Sequence, residues 1–167
     1  MFAAVVATLG GLAGAHVLDL YAGSGAVGLE ALSRGAADAL LIESDPAAVA
    51  VIRQNVAAVG LQGATVIKDR VTRALRRGPG QAAPRDFVFA DPPYAATDDE
   101  LSQVLASLAG DGWLASGALV VVERDARSGP PPWPAAYAQD RSRRYGETVL
   151  WYGRAEGGHP PAAETGA

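Results

Sequence analysis

Cysteine is absent from the 167 residues, which removes both a disulfide framework and any thiolate metal site. Histidine occurs only at His16 and His159, too far apart in sequence to suggest an imidazole site, so no metal is expected. Lysine occurs once, at Lys68, and the other cations are arginines, whose planar forks suit carboxylate and phosphate. No uninterrupted apolar run reaches the length of a membrane span, and Met1–Ala15 lacks the basic start of a signal peptide. The expectation is a cytoplasmic protein with no membrane partner. The net charge of −4 argues against a protein that coats nucleic acid, because phosphate neutralisation dominates such binding. It leaves room for an enzyme that holds RNA through one local patch.

What is present is the material of one core: 49% hydrophobic residues in a chain the length of a single domain. Residues 1–154 are expected to form that domain, as a monomer. Residues 155–167, rich in Gly, Pro, Glu and Ala, are expected to be a disordered tail. Phe2–Leu9 reads as a helix ending at Gly10-Gly11. His16–Tyr21, Ala39–Ile42, Ala64–Ile67, Phe87–Ala90 and Ala118–Val122 read as strands, and helical spacing fills the intervals between them. Asp45 before Pro46 marks a helix start. Arg141–Arg154 reads as two strands joined near Gly146. Strands alternating with helices predict a parallel sheet covered on both faces, with ligands beyond the carboxyl ends of its strands.

The unusual residues fall on those ends. Asp91-Pro92-Pro93-Tyr94 follows the fourth strand. Two prolines remove two N–H donors and fix two φ angles, leaving a rigid turn that offers the Asp91 carboxylate and the Pro92 carbonyl as acceptors. With the flat ring of Tyr94 beside them, they suit a planar base bearing an exocyclic amino group. An ordinary surface turn is the bland alternative. Upstream, Gly23-Ser24-Gly25-Ala26-Val27-Gly28 has G-x-G-x-x-G spacing, with Glu43 twenty residues after Gly23. That alone would fit a dinucleotide. Asp19, however, places an acid inside the first strand, where an unpaired carboxylate is costly unless a cation relieves it. S-adenosylmethionine matches these positions: an ammonium and a sulfonium near Asp19, a ribose diol for Glu43, an adenine amine for Asp69, and a carboxylate for the helix N-terminus. Asp19 could otherwise be a satisfied buried acid, and Glu43, Asp45 and Asp69 could be helix caps.

Residues Val17–Ala36, together with Asp91-Pro92-Pro93-Tyr94 and Arg144-Tyr145-Gly146-Glu147-Thr148, resemble the RsmD family of bacterial 16S rRNA guanine-N2 methyltransferases. The resemblance covers roughly Leu12 to Tyr152. It implies an α/β fold, a Rossmann-like class I methyltransferase: a mostly parallel seven-stranded sheet, last strand antiparallel, helices on both faces. It implies S-adenosylmethionine as cofactor and 16S rRNA or the assembling small ribosomal subunit as partner. Catalysis is then expected from Asp91, Pro92, Pro93 and Tyr94, and cofactor binding from Asp19, Tyr21, Gly23, Ser24, Gly25, Glu43, Ser44, Asp69, Arg70 and Asp91. Arg141, Arg143 and Arg144, the one dense basic cluster, are expected to touch RNA phosphates, with a solvated edge-strand face as the alternative. Family members carry an N-terminal segment with a basic hairpin, to which nothing here corresponds. The rival readings are an adenine-N6 nucleic-acid methyltransferase, which shares Asp-Pro-Pro-Tyr, a truncated non-catalytic cofactor-binding module, and an NAD-dependent dehydrogenase, which would leave that turn unexplained.

Overall fold

In the computed structural model, which describes residues 2–157, the order of elements is α1 (Phe2–Leu9), β1 (His16–Leu20), α2 (Ala26–Ser33), β2 (Asp38–Glu43), α3 (Pro46–Val59), β3 (Ala64–Lys68), α4 (Val71–Arg76), β4 (Arg85–Ala90), α5 (Asp98–Gly110), β5 (Leu114–Asp125), β6 (Tyr137–Tyr145) and β7 (Thr148–Ala155). Seven strands form one sheet in the order β3-β2-β1-β4-β5-β7-β6. The first five run parallel, and β7 enters antiparallel between β5 and β6. The expected fold is present, a Rossmann-like sheet with its last strand reversed.

The alternation of side chains along each strand divides the core in two. Leu18, Leu20, Val88, Ala90, Val120 and Val122 face the layer of α4 and α5. Val17, Leu41, Phe87, Phe89, Leu119 and Val121 face the layer of α1, α2 and α3. Strands apolar on both faces are what a doubly covered parallel sheet requires, and each fully buried Leu or Val contributes roughly 1.5–3 kcal/mol of transfer free energy. Two polar tips in this core are tied down: Trp113 Nε1 donates to the Leu75 carbonyl at 2.9 Å and the Tyr137 hydroxyl to that of Leu105 at 2.6 Å.

Helix boundaries follow local chemistry. Asp45 accepts from Ala48 N at 3.2 Å with Pro46 as first residue, Gly60 closes α3 at φ 67°, and Thr97 accepts from Glu100 N at 3.2 Å to start α5. β5 is longer than the expected Ala118–Val122. It begins at Leu114, opposite Arg85, slips register before Phe87 meets Leu119, and runs on to Asp125. Gly117, at φ 71°, lies in the slipped stretch, so a glycine that reads as a loop is a kink within one strand. β7 continues through Ala155, one residue past the expected boundary, and Glu156 N still donates to the Ala136 carbonyl at 2.7 Å. The rest of the expected tail, from residue 158, lies outside the described residues. Among the described residues no helix is long and apolar enough to cross a membrane.

At the amino ends of the strands, far from the motifs, Arg85 is fully buried. Its guanidinium donates to Asp38 at 3.0 and 3.4 Å and to the carbonyls of Ala83 at 2.8 Å and Val17 at 3.3 Å. Replacing it strands those acceptors, although Asp38, about a third exposed and bonded to His16 at 2.9 Å, keeps some solvation. Arg85→Met is expected to lower the unfolding free energy by about 2 kcal/mol, below the full figure for breaking a buried pair because of that exposure. Urea unfolding reads it, and a loss within error of zero would show that the pair does not hold the β1–β4 edge.

Candidate functional site

The turn after β1 is gripped from two strands. Tyr21, at φ 56°, is the one described non-glycine residue in the left-handed region, so the chain leaves β1 through a strained step of the kind found at binding sites. Ala22 N donates to the Ile42 carbonyl at 3.0 Å, and Gly23 N to Glu43 Oε2 at 2.8 Å. The other oxygen of Glu43 accepts from Asp45 N at 3.0 Å. Asn55 on α3, unsuspected from the sequence, donates to the Ser24 carbonyl at 3.0 Å. Gly25, at φ 80°, caps α2 with no side-chain acceptor. The third glycine has a different purpose: a Cβ at Gly28 would stand 2.9 Å from Leu41 Cδ2, and its N–H donates to Asp19 Oδ2 at 3.0 Å. α2 therefore lies against β2 as closely as backbone allows.

Asp19 is buried, and its carboxyl is pushed up to about 7, by desolvation first and then by the charges of Asp91 and Glu43, against the lowering effect of the Gly28 bond. Asp91, at the end of β4, sends its N–H to the Leu20 carbonyl at 3.4 Å, and its carboxyl is raised by desolvation. Beyond the two prolines, the Tyr94 ring is 92% exposed, a costly way to place an aromatic unless something stacks on it. Tyr21, half-buried at the same edge, has its hydroxyl raised to about 12 by burial and by Glu100.

Some of the expected residues have partners within the fold. Asp69 is buried with its carboxylate already engaged: Oδ1 accepts from Arg70 N at 2.8 Å and from Arg73 Nε at 2.5 Å, and Oδ2 pairs with Arg77. Two exposed arginines thus line its carboxylate, and Arg70, also exposed, starts α4. Arg141 lies in β6. It bonds Thr8 on α1 and lies 4.8 Å over the Tyr152 ring, so its guanidinium is used within the fold. Arg143 and Arg144 are exposed, with Arg144 Nε donating to the Gly146 carbonyl at 2.8 Å. Ser44 and Ser24 are exposed beside the turn.

One carboxylate escaped the sequence reading. Glu123, next to the last core residue of β5, is half-buried, and its carboxyl is raised by desolvation and by the charge of Asp91. The signal was available, because Glu123 follows the apolar run Ala118–Val122 as Asp91 follows Phe87–Ala90. Glu43, Asp19, Asp91 and Glu123 thus sit at the carboxyl ends of β2, β1, β4 and β5, which are neighbours in the sheet. Among the described residues none of the four has an ion-pair partner. An uncompensated acidic rim is suited to a ligand that brings positive charge and hydrogen-bond donors.

The family described as Conserved hypothetical protein 95 matches residues 1–154. Ribosomal RNA small subunit methyltransferase D of Escherichia coli (strain K12) is 37% identical over 135 residues, 81% of this chain and 66% of that protein. Its namesake in Buchnera aphidicola subsp. Baizongia pistaciae is 32% identical over 110 residues, 66% of this chain and 54% of that protein. The chain thus spans two thirds or less of the length of these curated relatives. A solved structure described as a conserved hypothetical protein of Streptococcus pyogenes superposes with TM-score 0.80 at 30% identity, covering 96% of this chain and 98% of that one. TrmN of Thermus thermophilus shares the fold at TM-score 0.72 and 20% identity, over 92% of this chain and 47% of that one.

The Asp19 shift has a direction that can be measured. Its folded value, about 7, lies above its ordinary 3.8, so between those limits the folded state holds a proton that the unfolded state has lost, and stability falls as pH rises. Asp19→Asn keeps an acceptor for Gly28 N and removes the titration. Its stability relative to the parent is expected to rise from pH 4 to about 7 and to stay level above; a difference flat across that range would refute the buried charge.

Proposed function

The chain belongs to the family described as Conserved hypothetical protein 95, and we propose that it transfers a methyl group from S-adenosylmethionine to the exocyclic N2 of a guanine in small-subunit (16S) rRNA. The observation that carries the reading is the row of four unpaired carboxylates ending beside a rigid proline turn with an exposed aromatic ring. The names of the curated relatives support the substrate class. We place the reaction in the cytoplasm, on rRNA or the assembling subunit, with the protein acting as a monomer.

The residues present fit the cofactor. Glu43 is held by two backbone N–H groups and remains partly exposed, which leaves lone pairs for a ribose diol. Asp19 lacks a cation that an ammonium would provide, and Gly23 and Gly25 keep side chains away from the turn. The adenine would lie near Ser44, Asp69 and Arg70, with Asp69 as acceptor for its amine. When bound, the cofactor supplies an electrophilic methyl on a sulfonium, which leaves as the thioether.

An aryl amine delocalises its lone pair into the ring and is a poor nucleophile. Asp91 and the Pro92 carbonyl accept its two hydrogens and draw nitrogen toward tetrahedral geometry, so that the lone pair faces the methyl. Tyr94 stacks on the base once it leaves the helix. As the new N–C bond forms, the extra proton passes to Asp91 or through it to solvent, a step that the desolvation-raised Asp91 is suited to take. Positioning supplies most of the rate. Arg143 and Arg144, exposed on the hairpin, would meet RNA phosphates.

Undermodified small-subunit particles and radiolabelled cofactor test the reading, with nucleoside analysis of the product. Asp91→Ala is expected to reduce transfer at least about 100-fold, in line with the usual weight of acid–base groups, while cofactor affinity by calorimetry changes less than about threefold. Full activity in that variant would remove Asp91 from the reaction. Glu43→Gln should do the reverse, weakening cofactor binding about tenfold with a smaller effect at saturating cofactor; unchanged affinity would exclude Glu43 from the cofactor site.

A further inference from the structure

Asp-Pro-Pro-Tyr by itself cannot choose a purine. Its two acceptors take the hydrogens of any exocyclic amine, whether N2 of guanine or N6 of adenine, and the Tyr94 ring stacks on either base. Discrimination must come from a group that meets the ring atom next to the amine. In guanine that neighbour is N1–H, a donor; in adenine it is N1, an acceptor. A carboxylate there favours the first and repels the second.

The structure supplies one carboxylate in that place. Ala90 pairs with Val122 across β4 and β5, so one residue further on Asp91 and Glu123 stand side by side at the ends of adjacent parallel strands. Glu123 lines the cleft that Pro92, Pro93, Tyr94, Thr97 and Arg124 complete. Among the described residues the Glu123 side chain has no hydrogen bond or ion pair, although the residue is half-buried. The cation next to it in sequence is committed elsewhere: Arg124, its side chain 11% exposed, donates to Asp98 at 2.5 Å and to the Pro130 carbonyl at 2.8 Å. These bonds tie the loop after β5 to the start of α5 and fix the cleft wall, while leaving the Glu123 side chain without a cation.

We propose that Glu123 reads the N1–H of the target base and so sets guanine over adenine at this site. The inference rests on the methyl-transfer reading above. Asp91 and Pro92 hold the amine and Glu123 holds the neighbouring ring N–H, a set of acceptors that matches the donor pair on the Watson–Crick edge of guanine. Adenine would turn its N1 lone pair toward the Glu123 carboxylate and leave it without a donor. Sites built to bond a specific donor reject the analogue that lacks it far more strongly than sites that discriminate by size.

The test uses the full chain, undermodified small-subunit particles, and the same particles with the mapped target guanine replaced by adenine. Glu123→Gln presents an N–H in place of an oxygen, so it should lower kcat/KM on guanine at least about 30-fold and raise transfer to adenine, narrowing the guanine-to-adenine ratio at least about 100-fold. Cofactor affinity should stay within twofold, which separates the effect from loss of fold. Glu123→Asp, which keeps the charge and shortens the reach, should fall between and retain the guanine preference. A Glu123→Gln enzyme whose ratio equals that of the parent would overturn the assignment while leaving the methyl-transfer reading intact. Parent protein that methylates no guanine in the particles would overturn both.

Discussion

The backbone of the glycine turn is positioned by two carboxylates, and the rest of the site follows from that grip. Asp19 reaches Gly28 N from within β1, and Glu43 reaches Gly23 N from the end of β2. Between them they fix both ends of a six-residue bend whose glycines contribute no side-chain packing of their own. Closure needs a third condition. Gly28 must remain without a Cβ so that α2 can settle on Leu41, because any outward shift of the helix would lengthen the Asp19 bond. The bend is therefore a compromise between steric contact on one side and hydrogen bonding on the other, and either alone would leave it loose.

The same arrangement concentrates negative charge. Four carboxylates end four adjacent strands, and the charge of Asp91 raises the cost of ionising Asp19 and Glu123, as that of Glu43 does for Asp19. For the isolated fold this is destabilising, and a rim of amides would be more stable. Where the protein needs only stability, its acids are paired: Asp69 with Arg73 and Arg77, Asp38 with Arg85 and His16. Within one small domain, then, some carboxylates are neutralised by cations and the four at the rim are not.

Much of this could be read from the sequence, and most of the failures involve partners distant in the chain. Strand cores, the Asp45-Pro46 cap, the glycine turn and the hairpin near Gly146 are local signals, written within a few residues of where they act. The length of β5 was not legible, because Gly117 looks the same as a kink or as a loop. The pairing of Asp69 was not legible either, since an acid followed by arginines gives no sign of which of them will fold back on it. Arg141 had the composition of a phosphate contact, yet its partner Thr8 lies 133 residues earlier. Buried Arg85 was missed for the same reason, as its acceptors come from β1 and β2. Glu123 differs from these: the rule that identified Asp91 applied to it unchanged.

Topology explains why a basic hairpin belongs beside an acidic rim. A parallel strand after β5 would have begun at the opposite edge of the sheet and carried its turn away from the site. Because β7 is antiparallel to β5, Thr148 pairs with Asp125, and the hairpin turn closes at the ligand edge, where Ala126 N donates to the Glu147 carbonyl at 2.7 Å. Arg143, Arg144 and Tyr145 are thereby carried to the rim. Neither Asp91 nor Glu123 forms an ion pair with these arginines among the described residues. One reversed strand thus gives a domain of net negative charge a turn bearing two exposed arginines beside its acidic rim.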